Sequence, residues 1–310
     1  MALTLAEAER YSTNKVYAGI VEEFVRMSVV LQRVPFTEIE GNAWQYLREN
    51  AGSSAAFYDP QEVWSEGTAT TTQVTVGLKI LGGDVDVDNF LKATRSNYTD
   101  IEAELIAEKS KRVKFTFLDT FYYGDDSINA KEFDGLHVLV GPTSAQTINQ
   151  GTGTAGAALA ISNLDTLIDT VQDGPPEVLL MPKAIRRRIN AYLRANGLHE
   201  QNRDDWGNMV QYYNGVPIYV DDSLVMTETV ASGDYGVKTG GATGSIFACK
   251  FGTDAVFGIQ NAGSISVEKI GQLETKDAMR HRIKWYVSMG LGATISLAAI
   301  DGITDAAAVS

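Results

Sequence analysis

The chain is predicted to adopt an α+β fold, on three observations: a long helix with both ends written out at residues 99–124, strand-like segments gathered after residue 262, and alternating helix and strand signals over residues 136–261. Thr99-Asp100-Ile101-Glu102 has the form of a capping box, in which the Thr99 side chain takes the Glu102 amide and Glu102 reaches back to the Thr99 amide. Ile101, Leu105, Ile106, Val113, Phe117 and Phe121 then recur at helical spacing, with a gap at Ser110. Asp100, Glu102 and Glu104 precede Lys109, Lys111, Arg112 and Lys114, which complements the helix dipole, and Glu108 can pair with Arg112. Gly124 is expected at the C′ position. Such a helix is roughly 36 Å long at about 1.5 Å per residue, enough to span a domain as a structural beam.

The other elements follow in chain order. Residues 1–33 read as an arm: Thr4-Leu5-Ala6-Glu7 is a capping box, and Val16, Ile20, Phe24 and Met27 continue a helical stripe. Residues 34–83 read as a long hairpin with strand-like flanks at Trp44-Gln45-Tyr46-Leu47 and Val74-Thr75-Val76. Between the flanks, residues 50–72 are rich in Ala, Gly, Ser and Thr, with Phe57, Tyr58, Val63 and Trp64 near the tip. A loop of this length cannot bury its own apolar groups, and such loops are usually functional or disordered. It is either a floppy surface loop or an arm that orders across a neighbouring subunit; the aromatic anchors favour the arm.

Residues 84–135 carry a short helix at 88–97 and then the long one, expected to form one domain with residues 262–310. Residues 136–261 are expected to be an inserted α/β domain. Its signals are a strand-like Val138-Leu139-Val140, a helix capped by Ser162-Asn163-Leu164-Asp165, and a buried strand at Val178–Met181. A helix from Pro182 to Asn196-Gly197, a strand Val216-Pro217-Ile218-Tyr219-Val220, and a glycine-rich loop over residues 232–244 follow.

Bulk properties narrow the function. With 310 residues and 44% hydrophobic content the chain can build large cores. It has no run of about 18 apolar residues, and Glu7 and Glu9 stand where a signal peptide would need cationic and then apolar residues, so a cytoplasmic origin is expected. The lone Cys249 allows no disulfide within the chain, and Phe247, Ala248 and Phe251 around it favour an inert buried strand cysteine. A formal net charge of −13 argues against a protein whose main task is gripping phosphates. The dense basic run Lys183, Arg186, Arg187, Arg188 and Arg194 flanks Ile185, Ile189, Tyr192 and Leu193, as the solvated face of an amphipathic helix would. Inter-subunit salt bridges through Arg186, Arg187 and Arg188, or direct DNA contact, are the other readings.

Enzyme-like signals are weak. Gly151-Thr152-Gly153-Thr154-Ala155-Gly156 matches the dinucleotide-binding glycines by letter, with Asp173 near the expected distance, but the preceding Val138-Leu139-Val140 leads into a polar segment and not straight into the glycines. Asp84-Val85-Asp86-Val87-Asp88 has the spacing of a calcium loop, yet Asn89 replaces its glycine and Arg95 its closing glutamate, so helix capping is the better use. Adjacent residues on an extended chain point apart, so Asp204-Asp205 and Asp221-Asp222 are read as solvated turns. His137 in a strand-like run, His199, and His281 in a basic strand have no partners at metal spacing. No catalytic residue, cofactor or metal ligand is expected.

Phe121-Tyr122-Tyr123-Gly124-Asp125-Asp126 and Glu132-Phe133-Asp134-Gly135-Leu136 resemble the stretch after the spine helix of tailed-bacteriophage major capsid proteins with the HK97 fold. Val34-Pro35-Phe36-Thr37-Glu38-Ile39-Glu40-Gly41-Asn42 resembles the entry to that family's extended loop. Glu177-Val178-Leu179-Leu180-Met181-Pro182-Lys183 resembles its A-domain. Ile283-Lys284-Trp285-Tyr286-Val287-Ser288-Met289-Gly290-Leu291-Gly292 and Ala298-Ala299-Ile300-Asp301-Gly302-Ile303 resemble the closing strands of its P-domain. Order and spacing over nearly the whole chain carry the resemblance.

The resemblance implies an N-terminal arm (1–33), an extended loop or E-loop (34–83), a P-domain (84–135 with 262–310) and an A-domain (136–261). It implies a non-catalytic subunit that assembles with itself, as hexamers and pentamers, into an icosahedral shell in the virion, built in the host bacterial cytoplasm. The shell would enclose double-stranded DNA without sequence-specific binding and without a membrane, with portal, scaffolding and cement proteins as partners. Phe57, Tyr58, Val63 and Trp64 at the loop tip, and Val16, Ile20 and Phe24 in the arm, would then contact other subunits. The arm begins almost at Met1, so a separate scaffolding protein, or none, and no trimming of the chain are expected. An encapsulin-type compartment shares the fold, and a nucleotide-dependent enzyme would have to use residues 151–156. Some relatives crosslink their shells through a lysine in the extended loop, whereas here no lysine occurs between Lys15 and Lys79. Subunit contacts are therefore predicted to be noncovalent: boiling assembled particles in detergent should release monomers on a gel, and a persistent ladder of covalent oligomers would refute this.

Overall fold

The structure is a computed structural model that describes residues 30–95, 101–141, 144–151, 156–172, 174–197, 201–203, 209–229, 237–262 and 265–309. Val16, Ile20, Phe24 and Met27 of the arm, Thr99 and Asp100 of the expected capping box, Asp173, His199 and Asp204-Asp205 lie outside the described residues.

The described chain enters through a one-turn helix, Val30–Arg33, and strand β1, Phe36–Ile39. It runs out and back as a hairpin of β2, Ala43–Ala51, and β3, Thr70–Gly77, then along β4, Lys79–Asp88. Helix Asn89–Arg95 follows, within the span expected, and Asp88 caps it by accepting from the Phe90 and Leu91 amides at 2.8 and 3.2 Å. The long helix is Ile101–Tyr123, 23 residues and about 35 Å. Next come helix Leu136–Val140, β5 (Thr147–Asn149), helix Ile161–Thr170, β6 (Val178–Met181) and helix Lys183–Ala195. Strands β7 (Gln201–Arg203), β8 (Met209–Tyr213), β9 (Val216–Val220), β10 (Thr243–Cys249), β11 (Val256–Asn261), β12 (Ser266–Gln272), β13 (Ala278–Leu291) and β14 (Leu297–Thr304) complete it.

A five-stranded sheet has the order β1-β11-β13-β12 with β4 also paired to β13, and a seven-stranded sheet has the order β5-β14-β10-β6-β9-β8-β7. The long strand β13 is the axis of the first, with Trp285 opposite Leu81 of β4 and Gly290 opposite Phe257 of β11. Strand β6 explains the apolar run Val178–Met181: Val178 and Leu180 enter the core shared with the long helix, while Leu179 and Met181 face helices on the other side. A strand covered on both faces reads as continuously apolar.

The long helix lays Val113, Phe117 and Phe121 into the core, as its periodicity predicts; Leu105 and Ile106 are only half-buried. Phe117 is the centre of an aromatic cluster, 4.7 Å from Trp285, 6.0 Å from Phe36 and 5.5 Å from Phe133 between ring centroids. Further along, Tyr122 reaches Phe247 of β10 at 6.1 Å. One helix therefore packs on both sheets.

Five local expectations are corrected. Residues 298–303, expected with the strands of the long-helix domain, lie in β14, which pairs with β10 in the seven-stranded sheet, Ile300 opposite Ile246. Conversely β11, from the expected inserted segment, pairs with β1 and β13. The reason is burial: Leu297 to Asp301 are all buried, so the strand needs cover on both faces. Val138-Leu139-Val140 is helical, since so short an apolar run carries no decisive period. The helix expected to start at a Ser162 cap starts at Ile161, whose amide donates to Val309 O at 2.9 Å, so a distant backbone carbonyl replaces the side-chain cap. Gly124 ends the long helix for a steric reason and not by a left-handed turn. The returning chain lies so close that a Cβ there would sit 2.2 Å from Phe133 O.

Truncating the aromatic centre should be expensive. Phe117→Ala is predicted to cost about 3–5 kcal/mol, seen as a lower denaturant midpoint with an unchanged slope; an unchanged midpoint would show that the helix is not pinned there.

Candidate functional site

The hairpin projects from the body, and its base is fastened by name-specific contacts. Trp44 stands opposite Val76 and Leu47 opposite Gln73. The Tyr46 ring meets Phe257 edge-on at 5.9 Å, beside Ile39 and Ile259. The Tyr46 hydroxyl donates to Leu291 O at 2.5 Å, while Arg48 donates from Nη2 to Leu291 O at 2.5 Å and from Nε to Gly292 O at 2.9 Å. These carbonyls end β13, so a planar guanidinium aims the hairpin off the rim of the sheet. This latch escaped the sequence reading, because its partners are 244 residues apart for Arg48 and Gly292.

At the far end the tip organises itself. Tyr58 stacks on Trp64 with centroids 4.6 Å apart and planes at 11°. The Tyr58 hydroxyl accepts from the Ser65 amide at 3.1 Å and bonds Ser65 Oγ at 2.8 Å, and the Asp59 amide donates to Glu62 Oε2 at 2.8 Å. A Cβ on Gly67 would sit 2.7 Å from the Ser54 backbone, so the two limbs of the loop run in close contact. Yet Phe57, Val63 and Trp64 expose 106, 89 and 77% of their surfaces. The structure thus joins Tyr58 to Trp64 and leaves Phe57 and Val63 standing free on the same loop, with apolar faces in solvent that a partner would remove from water.

Exposed apolar side chains elsewhere are Leu47 on the hairpin flank, Ile80, Phe90, Ile128, Ile265 just before β12, and Val267 and Ile270 along it. In sequence Leu47, Ile80 and Phe90 adjoin other apolar residues and the rest alternate with polar ones, so all also read as inward-facing positions.

The basic helix Lys183–Ala195 buries Ile185, Ile189 and Leu193 and leaves its cations outside. Arg187 and Arg188 close on Asp305 of the same chain at 2.7 and 2.8 Å, and Lys183 pairs with Asp222 at 2.7 Å. Arg186 is exposed beside them. The Arg188 and Arg187 guanidiniums hold the Asp305 carboxyl below its ordinary range.

The acidic repeat at 84–88 is a strand with partners across the sheet. Asp84 takes a two-pronged bond from Arg282 at 2.6 and 2.8 Å, and Asp86 takes one from Arg280 at 2.6 and 2.9 Å. Arg280, with Lys276 beside it, holds Asp86 well below the usual carboxylate range, and only Asp88 serves as a helix cap. Among the described residues no group of three or more His, Cys, Asp or Glu is placed to hold a metal.

Around the glycine pattern, residues 152–155 lie outside the described residues. Strand β5 ends just before it, but the next helix starts five residues after Gly156, at Ile161. Gly156 has φ +64°, and a Cβ there would sit 2.4 Å from Gly302 O. Close approach to β14 accounts for this glycine without a phosphate. Cys249 is fully buried in β10, and burial pushes its thiol up. No helix among the described residues is long and apolar enough to cross a membrane.

Comparison with solved structures follows the same geometry. The chain is similar to the encapsulin of the holo-SrpI complex from Synechococcus elongatus PCC 7942, with TM-score 0.71 and 16% identity over 100% of this chain and 99% of that one. It is similar to a chain of Microbacterium phage Oxtober96, with TM-score 0.66 and 14% identity over 98% and 99%. It is also similar to the capsid of a native GTA particle, with TM-score 0.63 and 12% identity over 97% and 100%. No protein-family model and no curated protein sequence matches the chain. The fold is the HK97-type fold of capsid shells, mixed α and β, matched along its whole length.

Removing the guanidinium of Arg48 should release the hairpin base. In Arg48→Ala, amide hydrogen exchange across Ala43–Ala51 and Thr70–Gly77 is expected to speed up while β13 stays protected; unchanged protection of the hairpin would contradict the latch.

Proposed function

We propose that the chain is the major capsid protein of a tailed bacteriophage, a structural subunit without catalysis that builds the head shell around double-stranded DNA. The observation that carries this reading is the tip of the hairpin: an internally ordered turn that presents Phe57, Val63 and Trp64 to solvent at the end of a fastened limb. An ordered apolar tip held away from its own body fits burial on another copy. Tyr58 would brace it, and Val16, Ile20 and Phe24 of the arm would make a second overlap.

The proposed division of labour is geometric. The five-stranded sheet with the long helix would join capsomers, and the seven-stranded unit would close around their centres, as hexamers and pentamers. Rotations that add up to a closed figure let repeated contacts enclose a volume, and several weak overlaps per chain add up to a stable shell. Arg186, with Arg187 and Arg188, would contribute at most exposed ion pairs, each worth about 0–1 kcal/mol. Portal, scaffolding and cement proteins would be the partners, and the virion the final location. A net charge of −13 suits a wall that does not cling to DNA.

A second reading, an encapsulin-type compartment with a protein cargo, is supported by the TM-score of 0.71 to the SrpI encapsulin. Electron microscopy of the expressed chain tests both, with closed shells expected. Nuclease-resistant genomic DNA and a portal vertex in native particles would support the phage head; a packaged protein and no DNA would support the compartment. Phe57→Ser with Trp64→Ser is predicted to abolish shells while leaving the circular dichroism spectrum unchanged. Normal shells from that double variant would contradict the role given to the tip.

A further inference from the structure

A cluster of buried ionisable groups joins the long helix to the seven-stranded sheet. His137, 4% exposed, sits in the helix Leu136–Val140, just beyond the turn that ends the long helix. Its Nε2 stands 3.8 Å from Glu228 Oε1, and its Nδ1 stands 3.8 Å from Asp301 Oδ1 on β14. Glu228 is fully buried and Asp301 is 5% exposed. Each ring nitrogen thus faces a different carboxyl group. A neutral imidazole has one N–H and one lone pair, so one nitrogen would aim its lone pair at carboxyl oxygens, whereas the imidazolium offers a donor to both.

The remaining neighbours come from every element packed around the ring. Tyr123 of the long helix stacks on it at 5.3 Å, presenting a ring face of the kind that favours a cation, and Phe247 of β10 lies 4.8 Å away with its ring nearly perpendicular. Glu228 is fixed in turn: the Tyr123 hydroxyl donates to its Oε1, the Ser245 hydroxyl donates to its Oε2 at 2.5 Å, and the Thr243 hydroxyl donates to its backbone oxygen at 2.8 Å. His137 Nε2 and Asp301 Oδ1 are both buried with no atom at hydrogen-bond distance; Nε2 instead faces Glu228, and Asp301 Oδ1 faces His137 Nδ1, each at ion-pair range.

We propose that His137 is carried as an imidazolium between Glu228 and Asp301, a charge lock that fastens the long helix to the seven-stranded sheet and opens when that proton is lost. Burial opposes the charged ring, but Glu228 and Asp301 outweigh it and raise His137 above its ordinary value; burial raises Asp301, and His137 partly offsets this. A histidine whose folded pKa exceeds the unfolded value of about 6.5 adds stability that is full below that pH and disappears as pH climbs through the folded pKa. Above it, two buried carboxyl groups face a neutral ring, and the joint loosens. The lock does not depend on what the shell encloses.

The test uses the full-length chain, wild type and His137→Gln, melted at pH values from about 6 to about 9. The wild type is expected to lose several degrees of midpoint across this range while the variant stays flat, the curves converging at high pH. Parallel curves would overturn the lock. Histidine ring 15N NMR of the wild type covers the case in which the variant does not fold, with the His137 signal assigned by His199→Gln and His281→Gln. Both His137 nitrogens protonated at about pH 7 is the expected result, and a neutral tautomer there would overturn the proposal.

Discussion

The packing of Phe117 against Trp285, Phe36 and Phe133 is the constraint on which the molecule depends. It seats the long helix on the five-stranded sheet, and the helix then has only one rotational setting. In that setting Phe121 and Tyr122 point into the shared core and Tyr122 reaches Phe247 of the other sheet. Tyr123, one residue on, is delivered to His137 and Glu228. A single stripe of apolar side chains therefore orders two sheets and a buried ionic joint.

The same seating decides where the limbs go. Once Phe36 is committed to the aromatic cluster, β1 must run beside β11, and the chain leaves the sheet at Gly41, whose φ of +118° favours glycine. Tyr46 and Arg48 then catch the carbonyls that end β13, and the loop beyond them is carried away from the body. Its aromatic tip is stiffened by stacking and hydrogen bonds but not covered by the described residues. A stiff exposed tip loses less conformational entropy on docking than a floppy one, which is how pre-organisation strengthens a weak overlap.

Local signals were legible in the sequence, and long-range pairings were not. The helix Ile101–Tyr123 was readable because its stripe repeats over six turns. The hairpin flanks were readable from their apolar and β-branched residues, and the tip from its isolated aromatics. The assignment of β14 to a sheet was not readable, because four apolar residues in a row say that a strand is buried without saying beside what. Asp84 and Asp86 illustrate the same limit. Carboxylates two residues apart share one face of a strand, as do Arg280 and Arg282, but only the register that sets Asp86 opposite Arg280 makes a ladder of them. His137 was legible only as a histidine in an apolar run; its two carboxyl partners come from segments about a hundred residues or more further along the chain.

The central claim is that the hairpin tip finds its burial on a second copy of the chain. Photo-crosslinking from position 57 in particles assembled from mixed isotopically light and heavy chains reads this directly by mass spectrometry. The account predicts hybrid peptides in which a light tip is joined to a heavy body. Crosslinked peptides formed only within one isotope, with the tip joined to its own chain, would contradict it.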